Sequence, residues 1–180
     1  MSIIYLNGRY LPIQDASLSP TDRGVTLGDG VFDTLKMVDG VPQFLEAHYN
    51  RLIRHATVIQ IKFDVSLPSF QEIVTKLTNK NKITTGVYAV RTTVTRGPND
   101  RGLSYNTDST PTIIVTIHHI ANRDEGAEPV RLTISGITRR NDKSPLSRIK
   151  ATGYGDNILA MAAAKANGFD DALLLNTRGN

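Results

Sequence analysis

The chain has 180 residues, room for one large domain or two small ones, with 39% hydrophobic residues and a net charge of +4 at pH 7. Its 21 Lys and Arg are scattered among 17 acids without the clustered stripe of nucleic-acid binding, so the mild basicity suits small anionic ligands and no nucleic-acid partner is expected. The absence of cysteine excludes disulfides, thiolate catalysis and Cys-ligated metals, and no apolar run approaches the roughly 20 residues of a membrane span.

MSIIYLNGRYLPIQDAS lacks the basic start and long apolar segment of a signal peptide, so a soluble cytoplasmic protein without a membrane partner is expected. Ile3 to Leu6 and Arg9 to Ile13 flank Asn7-Gly8, a strong local hairpin signal. Leu27-Gly28-Asp29-Gly30 reads as a tight loop rather than a dinucleotide fingerprint. A second hairpin runs from Val31–Val38 through Asp39-Gly40 to Val41–Leu45. Leu45, Tyr49, Leu52, Ile53, Ala56 and Ile59 then recur at three- and four-residue spacing, which predicts an amphipathic helix over about 46–60. Ser69 with Glu72 resembles a capping box opening a helix with Phe70, Ile73, Val74 and Leu77.

Val87–Thr95 and Thr112–Ile120, rich in β-branched residues, read as long strands joined by the polar loop RGPNDRGLSYNTDSTP. The charged, aperiodic stretch 121–129 reads as a linker between a domain over 1–120 and a second over 130–180. In the second, Val130–Ile137 reads as a strand, Asp156–Asn167 as a helix with Asp156 as N-cap and Gly168 as its stop, and Ala172–Leu175 as a buried strand. Thr177 to Asn180 looks like a hairpin turn without its second strand, so the second domain is expected to be incomplete.

Few residues carry chemistry on their own. His118 and His119, adjacent on a strand, point to opposite faces and have no ligand-spaced partner, so no metal site is expected. Arg96-Gly97 and Arg101-Gly102 place two arginines five residues apart in one loop, a pattern suited to holding a carboxylate bidentately. Lys150 stands in SRIKATGYGDNILA, at a strand-to-helix transition with Tyr154 and Asn157 near in sequence. A lysine that forms imines must lose its proton, which calls for burial or neighbouring positive charge; Arg148 is a candidate neighbour.

DRGVTLGDGVFDTLKMVDG, FLEAHYNRL, TRGPNDRG, SRIKATGYGDNILA and GFDDALLLNTRGN resemble, in that order, the class IV aminotransferases, the fold-type IV pyridoxal 5′-phosphate (PLP) enzymes. The resemblance covers the whole chain. It implies a two-domain fold of mixed α+β and α/β character like that of D-amino acid aminotransferases, with a complete N-terminal α/β domain and a truncated C-terminal one. It implies PLP as cofactor, a small carboxylate substrate and a homodimer. Lys150 matches the Schiff-base lysine that also shuttles protons, Arg51 the arginine that binds the PLP phosphate, and Tyr154 a tyrosine near the cofactor's 3′-oxygen. Asn157 matches a recurrent structural asparagine, and Gly153 replaces an asparagine common in the family. The family's glutamate facing the pyridine nitrogen is expected about three residues past Asn180, outside this sequence. The loop over Thr95–Leu103 resembles that of 4-amino-4-deoxychorismate lyases, with Leu103 in place of their tyrosine, and makes Arg96 and Arg101 candidate substrate-carboxylate ligands. The lyase, which eliminates pyruvate to give 4-aminobenzoate, is the leading reading. An amino acid transaminase (D-amino acid or branched-chain), an inactive truncated fragment, and an anion-binding module built on the Arg96/Arg101 loop remain open.

Overall fold

The structure, a computed structural model, describes residues 2–121 and 128–180, so most of the expected linker lies outside the described residues. By contacts the chain divides into two units: the described part of Met1–Asn122 together with Lys150–Thr152, and the described part of Arg123–Ile149 together with Gly153–Asn180.

The first unit is built on an antiparallel sheet. β1 (Ile3–Leu6) and β2 (Arg9–Pro12) pair around Asn7 and Gly8, whose φ values of 46° and 86° are the left-handed backbone that a two-residue hairpin turn needs. With β3 (Gly30–Val38), β4 (Val41–Pro42), β5 (Val87–Thr95) and β6 (Thr112–His119) they form six strands in the order β2-β1-β6-β5-β3-β4. The register sets Leu35 opposite Val90 and Val90 opposite Ile117, so period-2 alternation lines one face with apolar side chains. Helices α2 (Leu45–Val58) and α3 (Leu67–Lys80), whose apolar spacing was legible, supply Tyr49, Phe70, Ile73, Val74 and Leu77 to the core beside Leu35, Met37, Val90 and Val115.

Three local expectations change. The second hairpin's return strand is only Val41–Pro42: Pro42 has no N–H to donate, Phe44 turns to φ 52°, and the helix begins at Leu45. The cap of α3 is Ser66, whose hydroxyl accepts from Ser69 N–H at 3.3 Å; Pro68 is tolerated in the first turn, so the helix starts earlier than Ser69. A five-residue helix, α1 (Arg23–Leu27), precedes the tight loop; Asp22 caps it and Gly28, at φ 66°, ends it.

In the second unit β7 (Leu132–Ile134) and β8 (Asp171–Leu173) run parallel, connected through α4 (Gly155–Ala166). Both strands are shorter than the sequence pattern suggested. The N-cap of α4 is Tyr154 without a side-chain cap bond, and Asp156 sits in the first turn, where its charge still suits the helix dipole. Gly168, at φ 78°, follows the helix end as expected. The Asn176 side chain accepts the N–H groups of Arg178 and Asn180, and Asp142 accepts from the Thr177 hydroxyl and N–H, which closes the final turn.

Candidate functional site

The peptide that carries Lys150 is a strand addition to β3. On the edge of β3 away from β5, β4 pairs only with Met37 and Val38. At the other end, Phe32 N–H donates to the Lys150 carbonyl (2.8 Å), Thr152 N–H donates to the Gly30 carbonyl (2.9 Å), and Ala151 faces Val31 in an antiparallel bridge. The Thr152 hydroxyl donates to the Gly28 carbonyl at 2.6 Å. Gly30 makes this close approach possible. A methyl group there would lie 2.8 Å from the Val94 carbonyl oxygen and 3.3 Å from Thr152 Cγ2.

Lys150 is half-buried, and its Nζ sits 4.5 Å from the ring centroid of Phe32. The guanidinium of Arg91 lies 3.7 Å from the same centroid. Phe32 is buried, so two cations gather on one buried ring, each attracted by its π face. The result is a local positive field suited to an anionic ligand. Arg91 was not singled out from sequence. Its signal was positional: a charge in the middle of a β-branched strand.

Arg51 is held one layer away. Asp33, buried on the core face of β3, accepts Arg51 Nε at 2.6 Å and Nη2 at 2.8 Å. His48 Nδ1 lies 2.7 Å from Asp33 Oδ1, the contact of a ring N–H donating to a carboxylate. Burial alone pushes the Asp33 carboxyl up, but the hydrogen bonds from Arg51 and His48 outweigh it and hold it below the ordinary carboxylate range. The Arg51 side chain remains 39% exposed, and its Nη1 has no hydrogen-bond partner among the described residues. Asp33 was legible in principle, as an acid in phase with Val31, Leu35 and Met37 on a core-facing register.

One turn beyond Arg51, His55 Nδ1 accepts the N–H of Lys150 at 3.2 Å. His48, Arg51 and His55 occupy positions i, i+3 and i+7 of α2 and so share one helix face. That spacing was in the sequence and only its arginine was read.

The loop arginines differ from each other. Arg96 is 6% exposed and its donors are committed: Nε and Nη2 to Asp29 (2.7 and 3.1 Å), Nη1 to the Gln60 carbonyl and Nη2 to that of Ile59. Its guanidinium also stacks 3.6 Å from the Tyr105 ring centroid. Arg23 joins the same carboxylate at 2.8 Å and donates to the carbonyls of Gly102, Leu103 and Ser104. Desolvation raises the Asp29 carboxyl, and hydrogen bonds from both arginines reverse this to a net lowering. Arg96, expected as a substrate-carboxylate ligand, thus has its donors committed within the chain to one carboxylate and two carbonyls, which tie the start of the 97–105 loop to Asp29 and to Ile59 and Gln60. Arg101 is exposed and lines a cavity of about 200 Å³ with Thr21, Thr26, Leu27 and Asn99. Tyr154 stands at the start of α4 in the second unit.

Comparison with known proteins bears on this arrangement. The sequence profile of the family described as amino-transferase class IV matches residues 30–180. An aminodeoxychorismate lyase of Bacillus subtilis (strain 168) is 33% identical over 158 residues, 88% of this chain and 53% of that protein. A D-alanine aminotransferase of Staphylococcus aureus (strain MSSA476) is 28% identical over 160 residues, 89% of this chain and 55% of the relative. A crystal structure of a Legionella pneumophila protein assigned as a 4-amino-4-deoxychorismate lyase superposes with a TM-score of 0.81 at 29% identity, covering 92% of this chain and 59% of that one. The branched-chain aminotransferase of Thermoproteus uzoniensis superposes with a TM-score of 0.88 at 22% identity over 99% of this chain and 61% of its own, a likeness of fold. The chain thus spans between half and two thirds of the length of these relatives. Its fold is that of the fold-type IV enzymes, and the chain belongs to the class IV aminotransferases, a family of PLP-dependent enzymes.

Proposed function

We propose that this chain carries the nucleophile and phosphate-binding residues of a PLP-dependent enzyme acting at Cα of an amino compound, of the 4-amino-4-deoxychorismate lyase kind. The observation that carries the reading is the placement of Lys150, paired onto β3 with its Nζ against Phe32 and beside Arg91. The residues present fit the cofactor. Arg51 is oriented by Asp33 while its Nη1 stays open for a phosphate oxygen, and Lys150 supplies an amine in the same unit. PLP, when bound, supplies an electron sink for negative charge at the substrate's Cα. Lys150 would hold the cofactor through Nζ and would hold or pass the proton at Cα. Asp33 keeps the Arg51 fork fixed. Tyr154, by its match to the family motif alone, would serve the cofactor's 3′-oxygen. Arg101 meets a substrate carboxylate, and Arg96 serves it indirectly by anchoring the loop.

The lyase reading is favoured by the Arg-Gly-x-x-x-Arg-Gly loop and by the 33% identity to the Bacillus subtilis lyase. An amino acid transaminase is the second reading, supported by the similarity to D-alanine aminotransferase. A cytoplasmic homodimer is part of the same proposal. Borohydride treatment of the protein with PLP is expected to leave a reduced adduct that peptide mass mapping places on Lys150 and that Lys150→Ala abolishes. An adduct on another lysine would sink the assignment. Release of 4-aminobenzoate from aminodeoxychorismate supports the lyase; amino-group exchange between D-alanine or L-leucine and 2-oxoglutarate supports the transaminase.

A further inference from the structure

The segment Lys150–Thr152 is a short addition to the sheet. Two backbone hydrogen bonds and one hydroxyl tie it to β3 and the loop before it, and all of them involve the Lys150 carbonyl or Thr152. The Lys150 N–H points the other way, to α2, and donates to His55 Nδ1. His55 is therefore the contact that fixes the N-terminal side of the lysine's own peptide. An imidazole nitrogen accepts a hydrogen bond only when unprotonated, so the contact requires the neutral ring with its proton on Nε2.

We propose that His55 is a positioning residue for Lys150: as a neutral imidazole it holds the lysine's peptide N–H and fixes where the side chain leaves the sheet edge, and on protonation it lets that peptide go. The surroundings support a neutral ring. Burial disfavours the imidazolium most. Lys150 on the added segment and Arg51 and Arg54 on α2 oppose it, Asp33 on β3 favours it, and the net direction is below the ordinary histidine value. A proton placed on Nδ1 would face the Lys150 N–H donor to donor and add a charge to a region that already holds Arg51, Arg54 and Lys150. Acid below the His55 titration thus loosens the Lys150 peptide while leaving the strands at the centre of the sheet paired.

The role as a guide for the nucleophile rests on the reading of Lys150 given above, whereas the contact itself is testable without cofactor. In the PLP-free protein, the Lys150 amide resonance is expected to titrate with the same midpoint as the His55 ring, and Lys150 amide protection from hydrogen exchange to fall below that midpoint. His55→Ala should lower this protection at least tenfold at pH 7.5 and remove its pH dependence, with Val90 and Val94 protection unchanged. His55→Asn keeps an acceptor near the Nδ1 position but cannot titrate, so it should restore protection at both acid and neutral pH. Lys150 protection that is unchanged in His55→Ala, or that follows pH identically in wild type and His55→Asn, would overturn the proposal. A missing borohydride adduct with the exchange pattern intact would instead count against the cofactor reading alone.

Discussion

Asp29→Asn tests whether the buried arginine pair is the fastening of the 97–105 loop. Asp29 accepts three hydrogen bonds, one from Arg23 and two from Arg96, at 2.7–3.1 Å. Arg23 and Arg96 are 5% and 6% exposed, so neither recovers much hydration when the carboxylate is lost. Asparagine keeps the shape and one acceptor oxygen but removes the charge, which leaves two buried guanidinium groups facing each other. Breaking a buried ion pair by deleting one partner costs about 3–5 kcal/mol. The carbonyls of Ile59, Gln60, Gly102, Leu103 and Ser104 go on accepting the N–H groups, so the lower end, about 3 kcal/mol, is expected. For a chain of this size that lowers Tm by about 6–12 °C. Urea unfolding followed by circular dichroism at pH 7 measures it, and hydrogen exchange should show the loss of protection concentrated at 97–105. A destabilisation under about 1 kcal/mol, or exchange that rises uniformly over the sheet, would refute the reasoning. Arg96→Met should be partly compensatory in the Asp29→Asn background, since it removes one of the stranded charges.

Two further outcomes follow from the same geometry. Gly30→Ala puts a methyl 2.8 Å from the Val94 carbonyl oxygen and 3.3 Å from Thr152 Cγ2, and overpacking of this kind costs about 1–3 kcal/mol; the Thr152 amide, which donates to the Gly30 carbonyl, should exchange faster, and unchanged exchange there would contradict the strand addition. Asp29 and Asp33 bind protons less readily in the folded than in the unfolded chain, so their contribution is complete above the unfolded carboxylate value of about 3.9 and is lost as pH falls through their lower folded values; urea titrations from pH 7 down to about 2.5 should show stability dropping in that lower window, less steeply in Asp33→Asn.

What was legible in the sequence was what repeats. β5 matches its expected span at both ends because seven of its nine residues are β-branched or small, a composition that favours a strand. The helices α2 and α3 followed from their apolar spacing. The boundaries failed where a single residue decides: Ser66 rather than Ser69, because proline is allowed in a first turn, and Tyr154 rather than Asp156, because α4 opens without any side-chain cap. At the site, Lys150 and Arg51 stood out through an ordered set of motifs. Their partners did not, because Asp29 meets Arg96 across 67 positions and Lys150 meets His55 across 95, and no local pattern records such distances. The commitment of Arg96 to Asp29 was hidden for the same reason: an arginine beside a glycine carries no sign in the sequence of the acid that meets it.

The strand addition at β3 also orders events during synthesis. The antiparallel sheet and both covering helices are complete in sequence by His119, whereas the Thr152 amide and hydroxyl reach Gly30 across 122 positions. Closing so long a loop carries an entropic cost that grows with the logarithm of its length, and contacts of this separation form late. The edge of β3 is therefore built and waiting when the residues around Lys150 leave the ribosome, and the amine is seated by docking onto a finished template rather than by taking part in its nucleation.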